Sequence, residues 1–411
     1  MMKILHTADW HLGKRLQEYS RIEEQKLVLD EICQIADQQD VDLVLLAGDI
    51  FDTFNPTHEA VELLYKTLRR LSKNGTRPIV AISGNHDSTQ FVEAPDPLAR
   101  ELGIFFYSRY DTIIPIGKLD SGVEITRSES GFLELKLPQF NFPIRLILAP
   151  YANEVSLRTH LGEEDREAEF RNLLAKNWQN MGDRYCDKFG VNLFMGHFFF
   201  IKEGTPIPIG AEPESERPIL HVGGTQALFT DHLPAQIQYA ALGHLHRYHA
   251  VAHLKIPVVY SSSPLAYSFS EADQEKKVVI IEAEPAKPVN YQPIGLTQGR
   301  PLCRVKFDEL AKALQWLEEN PYCFVEMTYE TEHSIDAPTR KAILKAHDGI
   351  VNLIPQIKKP LDQLNYSLQV EDLGKDMVTL FQLFYKSEKG QEPNEELLGI
   401  FKEVISQNDH L

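Results

Sequence analysis

The first part of the chain alternates apolar runs, which predict β-strands, with amphipathic stretches that predict helices. Residues 2–7, 42–47 and 78–83 are apolar runs, and the middle one is continuous, as in a strand buried on both faces. Ser20 and Glu23 have the spacing of a capping box and predict a helix to about residue 37. This rhythm constrains the fold because it favours a largely parallel sheet with helices packed on it. Binding sites in such sheets lie beyond the carboxyl ends of the strands.

Five short polar blocks follow apolar runs, at the places where predicted strands end. In chain order the blocks read ADWH, GDIFD, GNHD, GHFF and GHLH. Carboxylate, amide and imidazole groups are ligands for divalent cations, and one carboxylate can bridge two of them. A lone DxH or GDxxD is more often a pair of strand-end polar residues, but five ordered blocks favour a two-metal site. The seven candidate ligands are Asp9, His11, Asp49, Asn85, His197, His244 and His246.

The chain as a whole divides into four predicted segments. Strand and helix patterns continue to residue 282, so we predict one α/β unit of two packed sheets over 1–282. After a proline-containing stretch, residues 284–356 predict a compact α+β domain. Residues 358–370 predict a linker. Residues 371–408 predict a helical segment with apolar stripes, which either docks on a partner or folds onto the body.

Composition limits the classes of protein that fit. A length of 411 residues suggests two or three domains, and 43% hydrophobic residues suffice for a substantial core. Four separated cysteines without a CxxC pair argue against a disulfide framework or a zinc ribbon. Without a signal-peptide pattern or a bilayer-spanning apolar run, we expect a soluble cytoplasmic protein. The net charge of −17 disfavours DNA binding, but bound dications or a basic partner would offset it locally.

The ligand types indicate what chemistry the site would support. We expect Asp49 to be the bridge, because a carboxylate has two oxygens and a charge that two cations can share. Imidazole ligands favour Mn, Fe, Zn or Ni over Mg or Ca. Two such ions can generate a hydroxide at neutral pH and clamp the attacking and leaving oxygens. The leaving group also needs a proton, and His86 is the candidate donor, with Asp52 as the carboxylate that orients it and raises its pKa.

The blocks resemble the calcineurin-like metallophosphoesterase superfamily, whose motifs cover residues 1–250. More narrowly, HTADWHLGK, GDIFD and SGNHDS resemble the family of nuclease subunits of bacterial SbcCD complexes. The resemblance implies a two-sheet α/β/β/α sandwich with a smaller α+β capping domain and C-terminal helices. It also implies one metal held by Asp9, His11, Asp49 and His246, and a second held by Asp49, Asn85, His197 and His244, with His86 acting on the phosphate.

The same resemblance implies a function. It indicates a manganese-dependent DNA nuclease for end processing and repair, active as a 3′→5′ exonuclease on duplex ends and as an endonuclease on hairpins or single strands. It further implies a homodimer through the phosphoesterase domain, capping of DNA by residues 284–356, and docking of the C-terminal helices on an SbcC-like coiled-coil ATPase at the nucleoid. The chain departs from archaeal and eukaryotic relatives at Asp52, where they carry histidine.

Several residues near the blocks have competing interpretations. Lys14, Arg15 and Arg21 are candidates for contacts with DNA phosphates, although an exposed basic loop is usually just solvated. His249 and His253 extend the histidine spacing of the last block, but histidines near a strand end are more often ordinary surface or core residues. We therefore leave these two out of the predicted ligand set.

Three functions from different classes remain open. The first is a DNA phosphodiesterase that works with an ATPase, which we favour. The second is a phosphoesterase for small substrates such as cyclic nucleotides or for phosphoproteins, which would not need the extra domain and tail. The third is a non-catalytic scaffold, which would not need to keep seven ligands together with His86. Manganese-dependent cleavage of blunt duplex DNA, compared with small phosphodiesters, discriminates between the first two.

Overall fold

The computed structural model describes residues 1–152, 166–205, 227–253, 255–332, 335–358, 377–389, 393, 397–399 and 401. The chain divides into two compact units. The first unit consists of Met1–Cys303 with Tyr322–Phe324, and the second consists of Arg304–Pro321 with Val325–Leu411. Among the described residues, no helix is both long enough and apolar enough to cross a membrane.

The first unit contains strands and helices that are numbered here in chain order over the described ranges. The strands are β1 Met2–Thr7, β2 Arg15–Leu16, β3 Tyr19–Ser20, β4 Leu43–Ala47, β5 Ile79–Ile82, β6 Ile104–Tyr107, β7 Gly117–Lys118, β8 Glu124–Glu129, β9 Phe132–Lys136, β10 Ile144–Ala149, β11 Val191–His197, β12 Phe200–Ile201, β13 Leu228–Phe229, β14 Tyr239–Gly243, β15 His249–Val251, β16 Val258–Tyr260, β17 Lys277–Ala283 and β18 Asn290–Gly295. The helices are α1 Ile22–Gln38, α2 His58–Leu71, α3 Thr89–Glu93, α4 Asp96–Glu101 and α5 Arg166–Tyr185.

The first sheet has the strand order β18-β17-β1-β4-β5-β6 within the described ranges. β1, β4, β5 and β6 are parallel neighbours, as the strand–helix rhythm predicts. β17 and β18 extend the sheet in antiparallel orientation. β4 is buried along its whole length, in agreement with its continuous apolar run. Helices α1 and α2 cover one face, where Leu29 and Leu64 join Val44 in one buried cluster.

The second sheet has the order β15-β16-β14-β11-β10-β9-β8-β7 among described strands. Its centre is parallel, from β10 through β11 and β14 to β16. One face packs on the first sheet, since Leu146 lies in the same buried cluster as Leu45. The other face packs on α5, where the Trp178 ring lies 4.9 Å from that of Phe194. These layers confirm the predicted α/β/β/α sandwich.

The start of α1 differs from the prediction. Its N-cap residue is Arg21, and no side chain caps the helix, so Ser20 and Glu23 do not form a capping box. The Arg21 guanidinium instead donates to Glu24 in the first turn, with Nη2 3.2 Å from Oε1. A buried ion pair therefore occupies the place at which we expected a hydroxyl cap.

The first sheet also continues past residue 282, where the sequence predicted the α/β unit to end. β18 pairs with β17 beyond that point and includes Pro293, one of the prolines that suggested a boundary. β18 is an edge strand of the sheet. Proline is tolerated in an edge strand, because its missing N–H can face away from the ladder.

The second unit holds most of a smaller sheet. The order of its strands is β19 (Leu302–Phe307), β20 (Phe324–Thr331) and β21 (Ile350–Ile357), with β20 and β21 parallel, and the intervening helices are α6 (Leu310–Glu319) and α7 (Ala337–Ala346). Helix α8 spans Met377–Lys389, and its Phe381 stacks on Phe401 with ring centroids 3.9 Å apart. The predicted linker over 358–370 and the start of the helical segment over 371–408 lie largely outside the described residues.

Candidate metal centre

The polar blocks lie where strands of the two facing sheets end. Asp9, Asp49 and Asn85 follow β1, β4 and β5, which are parallel neighbours in the first sheet. His197 is the last residue of β11, and His244 directly follows β14, the neighbour of β11 in the second sheet. The fold therefore brings all seven predicted ligands to one place. Every one of these side chains is buried.

The backbone of the aspartate loops is bent in an uncommon way. Asp9 and Asp49 have φ angles of 55° and 48°, in the left-handed region that residues other than glycine rarely adopt. The His11 N–H donates to the Asp49 carbonyl at 3.0 Å, so the two loops run side by side. A Cβ on Gly48, whose φ is +90°, would lie 2.1 Å from His197 Nδ1. The glycine of GDIFD thus makes room for a histidine from the opposite sheet.

One group of donors, the His246 set, consists of His11, His246 and Asp49. His11 Nε2 lies 3.0 Å from His246 Nε2. The same His11 nitrogen lies 3.4 Å from Asp49 Oδ2. His11 Nε2 therefore lies close to both an imidazole nitrogen and a carboxylate oxygen, and these donor types suit transition metals.

The other group, the Asn85 set, consists of Asn85, His197, His244 and Asp49. Asn85 Oδ1 lies 3.1 Å from His197 Nε2 and 3.1 Å from His244 Nδ1. His197 Nε2 lies 3.3 Å from Asp49 Oδ2. Asp49 Oδ2 consequently faces both sets, which is the arrangement expected of a bridging carboxylate.

Asp9 lies beside His197 and His244 of the Asn85 set. Its Oδ1 accepts the His244 N–H at 2.8 Å and lies 3.8 Å from His197 Nδ1. Its Oδ2 is buried and has no hydrogen-bond partner among the described residues. A buried, unsatisfied carboxylate oxygen is costly unless a cation neutralises it. Asp9 therefore fits a metal ligand.

The charges of the buried groups also favour cations at this site. Burial raises the pKa of the Asp9 carboxyl to about 7. Burial alone would lower the pKa of His197, but the Asp49 carboxylate raises it to about 9. Bound dications would supply the positive charge that a histidine proton otherwise provides. Among the residues that the structure describes, two groups of three side chains have donor atoms within 4.8 Å of one another, namely Asp9, Asp49 and His197, and His11, Asp49 and His86.

Two of the candidate histidine ligands are held by different partners on the ring nitrogen Nδ1. His197 Nδ1 lies 2.8 Å from the Ala47 carbonyl, so the backbone at the end of β4 holds the ring. His246 Nδ1 lies 3.2 Å from Glu271 Oε1. Burial opposes ionisation of Glu271, but the charges of Lys276 and then His246 hold the pKa of this carboxyl well below its ordinary value. Glu271 lies outside every polar block, so no motif in the sequence points to it.

Asp87 in GNHD is a second residue that the sequence analysis missed. Its carboxylate accepts the backbone N–H groups of Ile50 at 3.0 Å, Phe51 at 2.9 Å and Gly84 at 2.9 Å. These contacts join the loop that carries Asp49 to the loop that carries Asn85. The signal available in the sequence was the position of Asp87 inside a predicted ligand block. Its carboxylate positions the two loops.

His86 lies at the site, but its contact with Asp52 differs from the prediction. His86 Nδ1 lies 3.0 Å from the main-chain carbonyl oxygen of Asp52. The Asp52 carboxylate instead lies 2.7 Å from Lys14 Nζ and 3.6 Å from His11 Nδ1. His86 Nε2 is buried and has no hydrogen-bond partner among the described residues. Asp52 therefore orients His86 through its backbone, because its side chain is engaged elsewhere.

The three predicted phosphate contacts have different environments. Lys14 pairs with Asp52 and is partly exposed, and Arg15 is exposed. Arg21 is only 1% exposed and donates from Nη1 to the Ala266 carbonyl at 2.9 Å. Its burial corrects the prediction, because a side chain without solvent access does not reach a phosphate on the surface.

The two histidines left out of the ligand set lie apart from it. His249 stacks on Tyr260, with ring centroids 6.5 Å apart. His253 Nδ1 accepts the backbone N–H groups of Lys255 and Ile256, each at 3.1 Å. Both rings have local structural partners, as expected of ordinary surface or core histidines.

The chain is similar to known proteins along its whole length. The calcineurin-like phosphoesterase family matches residues 2–248. The chain is 34% identical to the SbcD component of nuclease SbcCD from Bacillus subtilis, over 98% of each chain. It is 26% identical to the protein of that name from Staphylococcus epidermidis, again over 98% of each chain. The Rhodobacter capsulatus protein of that name is 31% identical over 68% of this chain and 66% of its own. The chain therefore belongs to the calcineurin-like phosphoesterase family and, within it, to the SbcD family of SbcCD nucleases.

Proposed function

We propose that this chain is a manganese-dependent DNA nuclease that works with an SbcC-like ATPase in DNA end processing. It acts as a 3′→5′ exonuclease on duplex ends and as an endonuclease on hairpins and single strands. The observation that carries the proposal is the position of Asp49 Oδ2, 3.4 Å from His11 Nε2 and 3.3 Å from His197 Nε2. One carboxylate oxygen thus serves two ligand sets. The full-length similarity to proteins named as nuclease components supports DNA as the substrate.

Each ligand set holds one ion in this proposal. The His246 set together with Asp9 would hold the first ion, and the Asn85 set would hold the second. Asp49, which belongs to both sets, would be shared between the two ions. When bound, two divalent ions activate water and polarise the phosphodiester. Imidazole and carboxylate donors suit manganese, and the buried setting of the ligands limits access of bulk water.

His86 protonates the leaving oxygen. Its Nδ1 donates to the Asp52 carbonyl at 3.0 Å, and its backbone N–H donates to Asp49 Oδ1 at 2.9 Å. These two contacts fix the ring beside the bridging carboxylate. His86 Nε2 is the ring atom left for the substrate, so in the imidazolium form it donates its proton as the phosphorus–oxygen bond breaks. Asp52 takes part by positioning His86.

Lys14 and Arg15 are the proposed phosphate contacts beside the site. The Lys14 ammonium lies 2.7 Å from the Asp52 carboxylate, whose own backbone holds His86. A phosphate bound by Lys14 would therefore lie near the acid–base group. The net charge of −17 predicts weak DNA binding by this chain alone, with a steep dependence on salt. A basic surface on the ATPase would strengthen binding.

The proposed assembly is a homodimer through the first unit, with residues 371–408 docked on the ATPase in the cytoplasm at the nucleoid. In the first unit, Leu98 on α4 is 75% exposed. On α8, Met377 and Phe384 are 59% and 53% exposed. They lie seven residues apart and so share one face of the helix. Large exposed apolar side chains are typical of protein contacts.

A cleavage assay tests the proposed activity. The full-length protein is incubated with Mn2+ and either blunt duplex DNA labelled at one end or a small phosphodiester such as bis-p-nitrophenyl phosphate. We expect shortening of the duplex from its 3′ ends and loss of activity in Asp49→Asn. Turnover of the small ester alone would remove the nuclease and leave the small-substrate phosphoesterase.

A separate experiment tests the docking of α8. The double variant Met377→Asp, Phe384→Asp places charges on the exposed face of the helix. We expect it to lose association with the ATPase and to keep the basal manganese-dependent cleavage. Binding of the ATPase as tight as that of the unchanged protein would refute docking through this face.

A further inference from the structure

Glu271 and Lys276 are buried charged side chains in the segment between β16 and β17, outside the polar blocks. Glu271 is 2% exposed and ends a short 3₁₀ helix, Phe269–Glu271. Lys276 is 8% exposed and directly precedes β17. Burying a charged group is strongly unfavourable unless the group is well paired. A buried pair of this kind therefore needs a physical explanation.

The pair contacts one metal ligand from two directions. Glu271 Oε2 lies 2.6 Å from Lys276 Nζ, and its Oε1 lies 3.2 Å from His246 Nδ1. Lys276 Nζ also donates to the main-chain carbonyl of His246 at 2.7 Å. The ring and the backbone of His246 are therefore held by the same two side chains. Lys276 Nζ has a further acceptor in Ser263 Oγ at 3.0 Å, which fixes the ammonium itself.

The contact with Glu271 sets the tautomer of His246. An ionised carboxylate can only accept a hydrogen bond, so His246 Nδ1 must carry the proton. The lone pair of the ring is then on Nε2, the atom that lies 3.0 Å from His11 Nε2 in the His246 set. A carboxylate behind a histidine ligand also makes the ring a better donor to a metal. Lys276 Nζ pairs with the other carboxylate oxygen of Glu271 at 2.6 Å, so Oε1 is left to accept from His246.

The same segment packs on the His246 set with an aromatic ring. The Tyr267 ring centroid lies 5.6 Å from that of His11 and 6.1 Å from that of His246. Gln25 Nε2 donates to the Tyr267 hydroxyl at 3.1 Å and to the His11 carbonyl at 2.7 Å. Residues 261–277 thus support both histidines of this set.

We propose that Glu271 and Lys276 are positioning residues that fix His246 for the ion of the His246 set, so that this ion depends on them and the ion of the Asn85 set does not. The inference rests on the proposed two-ion function. It adds that the affinity for one ion can be changed without changing the affinity for the other. The Glu271–Lys276 pair, which lies outside the ligand blocks, determines the affinity for the ion of the His246 set.

The substitution Glu271→Gln tests this inference with a specific expected change. Lys276 attracts the oxygen of the new amide, which leaves the amide NH2 facing His246 Nδ1. That arrangement favours the tautomer with the proton on Nε2, which is the wrong one for binding a metal. We expect one Mn2+ per chain to bind as in the wild type and the other to bind about 10- to 100-fold more weakly.

The experiment is equilibrium dialysis of the full-length protein against Mn2+, with metal analysis of the retained protein. Two ions per chain bound as tightly in Glu271→Gln as in the wild type would overturn the inference. A wild type that retains fewer than two ions would refute the proposed function as well, so the two failures are distinguishable. Histidine ¹⁵N spectra of the metal-free proteins provide a second readout, and an unchanged His246 tautomer in the variant would also overturn the inference.

Glu134→Gln is the matched control. Glu134 is likewise a shielded carboxylate paired with a cation, 2.7 Å from Arg145 Nε, but it lies in β9. We expect this control to keep both ions and the wild-type His246 tautomer. Equal loss of manganese in both variants would show that removing any such carboxylate disturbs the site, and the positioning role would be wrong.

Discussion

The Asn85 set and the His246 set belong to one site, but the protein fixes their histidines in different ways. His197 donates to the Ala47 carbonyl, so the end of a buried central strand holds it. His246 is held by the side chains of Glu271 and Lys276, which lie between β16 and β17. The backbone of the sheet thus holds His197, whereas His246 depends on side chains from a later loop.

This difference shows that ligand motifs and ligand positioning need not come from the same residues. A backbone carbonyl in a central strand is not altered by a change of side chain. A carboxylate–lysine pair can be changed by one substitution. We therefore expect mutations outside the motifs to weaken metal binding by the His246 set more than by the Asn85 set. Substitutions in each half test whether metal binding by one set can be weakened without the other.

Asp49→Asn should have the largest effect because Asp49 belongs to both halves. Removing the shared negative charge weakens the binding of both ions. We expect the fall in manganese-dependent DNA cleavage to exceed the ~10²–10⁴-fold contribution of a single acid–base group. Metal analysis and a single-turnover cleavage assay measure both effects. Retention of two tightly bound ions would show that Asp49 is not the bridge.

His86→Gln should separate catalysis from metal binding. His86 is proposed to donate a proton and to hold neither ion, so we expect both ions to stay while cleavage falls ~10²–10⁴-fold. His249→Gln is the matched control, because His249 lies outside both ligand sets and stacks on Tyr260. Near-normal cleavage by His86→Gln would refute the role of His86 as the proton donor.

Gly243→Ala should disturb the Asn85 set, whose His197 is held by the backbone of β4. The added Cβ would lie 1.9 Å from the Ala47 carbonyl oxygen and 2.9 Å from His197 Nδ1. We expect weaker binding of the ion of the Asn85 set and a loss of about 1–3 kcal/mol in the free energy of unfolding. Dialysis against Mn2+ and denaturant unfolding measure these changes.

Gly295→Ala is the control for that variant, since a Cβ there meets nothing within 4 Å. It should keep both ions and wild-type stability. If Gly243→Ala instead released the ion of the His246 set, the assignment of separate supports to the two halves would be wrong.

Thr57→Ala should have the smallest effect and should spare both halves. Thr57 caps α2 by accepting the Ala60 N–H at 3.3 Å. Its loss should cost about 1 kcal/mol of stability. Thermal unfolding measures that change, and Thr57→Ser should restore it. A change in manganese binding would mean that the site responds to general loss of stability, which would weaken the comparison between the two halves.

The sheet, and the meeting of the candidate ligands at one end of it, could be predicted from the sequence because both follow from local patterns. Apolar runs mark buried strands, and residues after parallel strands meet at one end of the sheet. Asp49 and Asn85, which follow β4 and β5, illustrate this, and the α/β/β/α sandwich is confirmed.

The contacts that hold the candidate ligands could not be predicted, because they join residues that are distant in the sequence. Glu271 lies 25 residues after His246, and no spacing rule joins the two. We expected the Asp52 carboxylate to face His86, because Asp52 lies three residues after Asp49. It pairs with Lys14 instead, and this contact is not visible in the sequence. The burial of Arg21 likewise results from tertiary packing, which the sequence does not show. Arg21 was therefore predicted to contact DNA on the basis of its position in the chain alone.

Anomalous diffraction from crystals of the protein grown with Mn2+ would test directly whether Asp49 bridges two ions. Data collected at the manganese edge locate each ion without reference to the ligands. We expect two anomalous peaks per chain, one on each side of Asp49 Oδ2, among the His246 set and the Asn85 set. A single peak, or peaks away from Asp49, would contradict a bridged pair.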